Sequence, residues 1–271
     1  MAASLADAVA ALAERAGEGA PLAGATWIMR APLRREPAAS AYVGIARIPE
    51  LRRIDIDDRS VAIGACVSHA QLAAALAPHA ECRALAQAAG HSANPAIRRM
   101  ATVGGNLSTS AFAAADLVPA LLCLDAEVEL QIGGTGERMA LQRFLAHRTS
   151  LEPGWLLNRV IVPRRPRRSA HVRLPLRRAG DYPVAIVSLA VEDEGAVSVA
   201  IGSVEPVARR WPALEAALKG DALDPVRAAA RAADHLDGFN GRAGIEAPGW
   251  YRVEVLPVLV GRAVAALGRP A

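Results

Sequence analysis

The sequence predicts an α+β protein, with two α/β portions over residues 1–57 and 58–165 and an antiparallel sheet plus helices over residues 166–271. Within "RSVAIGACVSHAQLAAALAPH" a short strand, Val61 to Val67, runs straight into a helix capped at Ser68, as an α/β portion requires. Further on, "AIVSLAVEDEGAVSVAIGSV" is two β-rich runs joined at "EDEG" and reads as a hairpin. Beyond it, "WPALEAALKG" through "YRVEVLPVLVGRAVAAL" is helical in period. A break in composition at the arginine cluster "PRRPRRSAHVRLPLRR" separates the two kinds of sequence.

The first helix has Ser4 as its N-cap with Asp7 three residues on, Leu5, Val9 and Leu12 on one face, and Gly17 and Gly19 to end it. "PLAGATWIM" is apolar on both sides of a small-residue turn, and an Arg/Pro loop follows. Pro49 interrupts any long element in "AYVGIARIPELRRIDID". Ser68 and Gln71 make a capping box for the next helix, and "ECRALAQAAG" is another that ends at Gly90. Pro95 predicts an extended turn before "AIRRMATVGGNL". A helix over Ala114 to Leu122, a strand over Glu127 to Ile132 and a turn from Gly133 to Gly136 complete the middle portion.

With 271 residues, 52% of them hydrophobic, the chain has material for a substantial core and is not a disordered protein. No apolar run is long enough to cross a bilayer, and the N-terminal "MAASLADAVAALAERAGEGA" lacks the early positive charge of a signal peptide. A soluble, cytoplasmic protein is expected. The net charge of +4 rests on arginine, Lys219 being the only lysine. Aromatic residues at 4% give few bases anything to stack on, and no nucleic-acid motif is present, so nucleic acid is not an expected partner. The arginine cluster reads as a solvated linker or, over Arg164 to Arg178, as a surface for phosphates or an acidic partner. Cys66, Cys82 and Cys123 lack metal-ligand spacing and read as core residues, and the histidines form no His-x-x-x-His pattern. No metal site of its own is expected, and no paired carboxylates or His–acid constellation for substrate chemistry appear.

"ATVGGNLSTS", Ala101 to Ser110, makes poor helix or strand. Either it is a plain turn, or the backbone N–H groups around Gly104 and Gly105, with hydroxyls from Thr102, Ser108 and Thr109, form a cradle for an anion. A second glycine turn at Gly24, after the short apolar run in "PLAGATWI", can grip the same pyrophosphate from the opposite side. Neither is a Gly-x-Gly-x-x-Gly, so a Rossmann site is not supported.

"AIRRMATVGGNLSTSAFAAADLVPALLCLDAEVEL" resembles the second FAD-binding segment of the flavoprotein (medium) subunits of molybdenum hydroxylases, the xanthine and carbon monoxide dehydrogenase family. "LAGATWI" takes the place of the first FAD loop, "ARIPELRRI" matches the segment after it, and "RRAGDYPVAIVSLAV" and "GWYRVEVLPVLVGRAV" resemble the C-terminal domain. The resemblance thus covers almost the whole chain in order. It implies a PCMH-type fold that holds FAD between the first two portions. It further implies an oxidoreductase subunit that takes electrons from a [2Fe-2S] small subunit, fed by a molybdopterin-binding large subunit, and passes them to NAD, a quinone or oxygen. A heterotrimer or a dimer of heterotrimers is the implied assembly. The site residues carried over are Ala23, Gly24, Ala25 and Thr26 in the first loop, Thr102, Val103, Gly104, Gly105, Asn106 and Ser110 in the second, Asp116 toward the adenosine, and Tyr182 near the flavin ring. Asp116 as a helix cap and Tyr182 as core are the ordinary alternatives.

Departures from the family pattern bear on this. The first loop usually reads Ala-Gly-Gly-Thr-Asp and here reads Ala23-Gly24-Ala25-Thr26-Trp27. A positive φ at Ala25 costs roughly 1–2 kcal/mol, on the order of tenfold in affinity. Trp27 either stacks on a ring or blocks the pocket. Trp155 stands where the family tends to have an acid, and His171 and Arg173 where it tends to have an aromatic residue and a lysine. An FAD-deficient assembly subunit of the same kind of complex is the alternative these departures raise. A self-contained flavin oxidase of the same fold fits less well, because such enzymes carry their substrate groups in one chain.

Overall fold

A computed structural model of the chain describes residues 1–15, 17–176, 182–220 and 223–268. In chain order come α1 (Leu5–Ala13), β1 (Gly19–Leu22), α2 (Ala31–Arg34), β2 (Ala41–Gly44), β3 (Ile54–Ile56), β4 (Ser60–Gly64) and α3 (His69–Leu76). Next are α4 (Arg83–His91), α5 (Pro95–Met100), α6 (Val103–Ser108), α7 (Leu117–Cys123), β5 (Glu127–Ile132), β6 (Thr135–Ala140), α8 (Leu141–His147) and β7 (Leu156–Pro163). The last stretch holds β8 (Arg167–Pro175), β9 (Pro183–Glu192), β10 (Val197–Gly202), β11 (Arg209–Arg210), α9 (Pro212–Leu218), α10 (Pro225–Ala233), α11 (Gly249–Glu254) and α12 (Leu256–Leu267). The mixed α+β class expected from the sequence is the class observed. Contacts gather the chain into two compact units, one of Met1–Leu72, Pro95–Ser110 and Asp125–Pro163, the other of Ala73–Asn94, Ala111–Leu124 and Arg164–Ala271.

In the first unit β1 pairs in parallel with β2, and a five-stranded antiparallel sheet runs β3-β4-β7-β5-β6. Local signals decide the helix starts. Asp7 N–H donates to Ser4 Oγ and Ser4 N–H to Asp7 Oδ2, both at 3.1 Å, closing the expected capping box of α1. Ser68 N–H donates to Gln71 Oε1 at 3.0 Å and Gln71 N–H to Ser68 Oγ at 3.2 Å, the same device at α3. β4 is shorter than the expected strand to Val67. The N–H groups of Ala65 and Cys66 leave the ladder for Asn158 O (2.9 Å) and Leu51 O (2.7 Å), and the backbone turns there. The expected Arg/Pro loop is a 3-10 turn, Ile28–Arg30, running into α2, whose first turn accepts Pro32 because no N–H is needed there. For the same reason Pro95 opens α5 instead of making an extended turn. Trp155 packs edge-on against Phe144, ring centroids 5.5 Å apart, which gives the unexpected indole a core role.

The second unit is a four-stranded antiparallel sheet, β11-β10-β9-β8, with the expected hairpin of β9 and β10 at its centre. Its core joins Val187, Leu189, Val199 and Ile201 of the sheet to Leu256, Leu259, Val260 and Ala263 of α12. α7 begins at Leu117, later than the expected Ala114. Most of the arginine cluster is engaged within this unit. Arg164 Nε lies 2.7 Å from Glu81 Oε1, Arg165 Nη1 lies 3.0 Å from Glu192 Oε1, and Arg167 Nη1 donates to Leu124 O at 3.3 Å. Those cations are therefore not a free basic surface, while Arg177 and Arg178 lie outside the described residues.

All three cysteines are buried and none forms a disulfide. Burial pushes those of Cys66 and Cys82 up to about 11, which leaves them as unreactive thiols at neutral pH. Among the described residues no helix is long and apolar enough to cross a membrane.

Candidate functional site

The loop after β1 leaves much of its backbone open. Leu22 O still accepts from Ile45 N–H at 3.0 Å, but beyond it the N–H groups of Ala23, Gly24, Ala25 and Thr26 have no protein acceptor among the described residues. These residues are half-buried, so the donors stand in a recess. Ala25 has φ 60°, the left-handed conformation expected if it occupies a glycine position. For alanine that costs roughly 1–2 kcal/mol. A run of unused donors that includes a left-handed residue has the makings of an anion-binding concavity. Gly24 fixes where the recess sits. A Cβ built on it would lie 1.8 Å from Met100 O and 3.3 Å from Thr102 Cγ2, so only glycine lets this loop lie against the segment that leads into α6.

That second segment differs from the glycine turn expected. Thr102 is the N-cap of α6, and Gly104 and Gly105 fall in the helix's first turn. The donors are used internally. Val103 N–H reaches Val67 O (3.0 Å), Gly104 N–H reaches Ala65 O (2.7 Å), and Asn106 N–H reaches Thr102 O (2.9 Å). Gly105 N–H donates to Thr102 Oγ1 at 3.2 Å. The N–H groups expected to hold a pyrophosphate here are thus already satisfied. Gly104 is needed for packing, because its Cβ would sit 2.8 Å from Ala65 Cβ and 2.9 Å from Ala65 O. Behind the helix the buried Arg148 donates to Leu107 O, a cation at the end where carbonyls are left over. Replacing Thr102 by valine should remove the cap and cost about 0.5–2 kcal/mol, read as a shift of the urea midpoint.

Trp27 does not point unsupported into the recess. The Arg34 guanidinium lies 3.7 Å from the centroid of its ring, and Arg34 Nη2 donates to Trp27 O at 3.1 Å. The same Nη2 is 2.6 Å from Glu36 Oε2, and this hydrogen bond holds the Glu36 carboxyl below its ordinary range. One face of the indole is therefore occupied by a cation from α2. Nothing in the local pattern of "MRAPLRREP" singles out Arg34 among its neighbours, and sequence reasoning missed it.

Residues 1–165 match the family described as "FAD binding domain in molybdopterin dehydrogenase". The chain belongs to this family. The molybdopterin-dehydrogenase FAD domain brings FAD as its cofactor, and the chain is an oxidoreductase subunit, as the resemblance in its sequence implied. It is 32% identical over 234 residues to the "6-hydroxypseudooxynicotine dehydrogenase complex subunit alpha" of Paenarthrobacter nicotinovorans, covering 83% of this chain and 79% of that one. It is 30% identical over 275 residues to the "Carbon monoxide dehydrogenase medium chain" of Afipia carboxidovorans, covering 96% and 93%. Among solved structures it superposes on a cyanide-inactivated Cu,Mo-CO dehydrogenase with a TM-score of 0.88 at 26% identity, over 98% of this chain and 95% of the other.

The remaining residues singled out in this FAD-domain chain are Ser110, at the far end of the second glycine segment, and Asp116 and Tyr182 beyond it. Ser110 is exposed, at the end of the first unit's middle segment. Asp116 and Tyr182 belong to the second unit. Asp116 stands at the N-cap of α7 but caps nothing with its side chain. Its Oδ1 is 2.9 Å from Arg173 Nε and 3.8 Å from His171 Nε2, while His171 Nδ1 is 2.8 Å from Ser188 Oγ. Of the residues that depart from the family pattern, Arg173 is thus the ion-pair partner of a buried carboxylate, and the His171 ring lies beside it. Tyr182 meets Phe112 edge-on at 5.2 Å.

Proposed function

We propose that this chain is the electron-transfer subunit of a heteromeric molybdenum hydroxylase, carrying FAD in the recess formed by the Leu22–Ile28 loop. The observation that carries the reading is the run of unused N–H groups from Ala23 to Thr26, donors that suit a doubly charged diphosphate. Thr102 to Asn106 would set the floor beside it through the Gly24–Met100 contact, with Ser110 at the rim. Asp116 and Tyr182 are assigned to the adenosine and flavin ring by family resemblance. FAD held there would supply both one-electron and two-electron redox chemistry. What the chain itself supplies is a set of fixed dipoles that need no rearrangement to hold the anion, and a first loop whose usual acid is replaced by Trp27, which removes a repelling charge.

The relatives named as complex subunits and medium chains support a [2Fe-2S] small subunit and a molybdopterin-binding large subunit as partners, in a heterotrimer or a dimer of heterotrimers. Buried thiols that form no disulfide fit the reducing cytoplasm. The complex purified from its native host should contain FAD equimolar with this chain, together with iron and molybdenum, measured by absorbance and metal analysis. A colourless complex that stays colourless after FAD is added would leave the chain as an assembly subunit.

A further inference from the structure

We propose that Arg34 is a positioning residue for the flavin loop: its stack on Trp27 and its bond to Trp27 O hold the loop in the conformation that Ala25 resists. The inference rests on the functional reading above for its ligand-binding part, and on the loop alone for the rest. Ala25 is held at φ 60°, where an alanine relaxes toward ordinary backbone unless its neighbours forbid it. On one side the loop is fixed by Gly24 against Met100 O. On the other, the backbone leaves through Trp27, and Arg34 grips that residue twice, at the ring (3.7 Å) and at the carbonyl (3.1 Å). Glu36 orients the guanidinium from 2.6 Å, at the same Nη2 that bonds the carbonyl. Arg34 comes from α2, and Met29 N–H donates to Ala25 O at 2.9 Å, so helix, clamp and strained residue form one short closed circuit. The indole that departs from the family pattern thereby gains a use: it is the handle by which a loop with alanine in a glycine position is kept open. Trp27 is neither a plug in the recess nor a free stacking platform.

The test uses the full chain stripped of FAD and the variants R34M, A25G and A25G/R34M. Methionine keeps the apolar stem and removes the charge and the planar fork. Hydrogen exchange of the amides of Met29 and Arg30, which donate to Ala25 O (2.9 Å) and Trp27 O (3.0 Å), should quicken about tenfold in R34M without FAD, as loss of a partly desolvated cation–π contact implies. FAD titration should show R34M binding about tenfold more weakly than wild type, and A25G/R34M within about threefold of A25G, because glycine removes the strain the clamp opposes. Unchanged exchange in R34M overturns the proposal. So does an equal loss of affinity on adding R34M to A25G, since Arg34 would then act independently of Ala25. If wild type takes up no FAD while exchange in R34M still quickens, the clamp stands and the flavin reading falls.

Discussion

Replacing Gly24 by alanine will weaken FAD binding by about tenfold to a hundredfold, the range set by overpacking a close contact. The added Cβ would meet Met100 O at 1.8 Å and Met100 C at 2.8 Å. Both are backbone atoms at the end of α5, and they cannot swing aside as a flexible side chain would. Either the loop lifts off, carrying the N–H groups of Ala23 to Thr26 with it, or α5 shifts and disturbs the cap at Thr102. A titration of the apo-chain with FAD, alongside its thermal midpoint, separates loss of the recess from loss of the fold. Gly105 provides the control for stability alone. It is exposed within α6, and a Cβ there would lie 3.0 Å from Thr102 Oγ1, a contact that small adjustments relieve. Gly105→Ala should leave stability unchanged or raised by about 0.5–1 kcal/mol, as expected for alanine in a helix. FAD affinity unchanged in Gly24→Ala would remove the recess from the binding site.

The largest effect on stability is expected at Arg252, which is fully buried. Its Nη1 donates to Val184 O at 2.6 Å and Ser203 O at 3.2 Å, and its Nη2 to Glu246 Oε2 at 2.8 Å. Arg242 joins the cluster through Ser203 O at 2.9 Å and Ser203 Oγ at 3.0 Å. Arg252→Met removes the cation that serves these acceptors and leaves Glu246 to the more distant Arg242, 3.9 Å away, a loss of about 3–5 kcal/mol for a broken buried pair. The loss should be partly recovered in Arg252→Met with Glu246→Gln. Burial and the Arg252 charge hold Arg242 below its ordinary range, so the variant also relieves one repulsion, which offsets a little of the cost. Equilibrium urea unfolding reads both variants. A change under about 1 kcal/mol would mean that water replaces the guanidinium and that the cluster is no keystone.

What could be read from the sequence was written in neighbouring residues. Ser4 with Asp7 and Ser68 with Gln71 mark helix starts because each box closes within one turn. The strand Glu127–Ile132 and the hairpin of β9 and β10 carry their own alternation and turns. Family resemblance set the two glycine segments in order along the chain, and Ala25 has the positive φ that a glycine position there would call for. The helical state of Val103–Ser108 was hidden, because two adjacent glycines argue against a helix. What outweighs them comes from far away in sequence, the carbonyls of Ala65 and Val67 that anchor the helix's first N–H groups. This also explains why the unused donors lie in the first loop instead of the second. Arg34 and Met100 were illegible for the same reason: their parts depend on where the backbone of another segment runs.

The strand β7 lies between β4 and β5, with Ser60 opposite Pro163 and Glu127 opposite Ile161. During synthesis, then, the ribosome delivers β3–β4 and β5–β6 as separate hairpins with raw edges, and the strand that welds them arrives last. Nascent chains shorter than that point expose sticky seams, and chaperone demand, along with the yield of soluble protein in a foreign host, should be governed by how promptly the closing strand emerges.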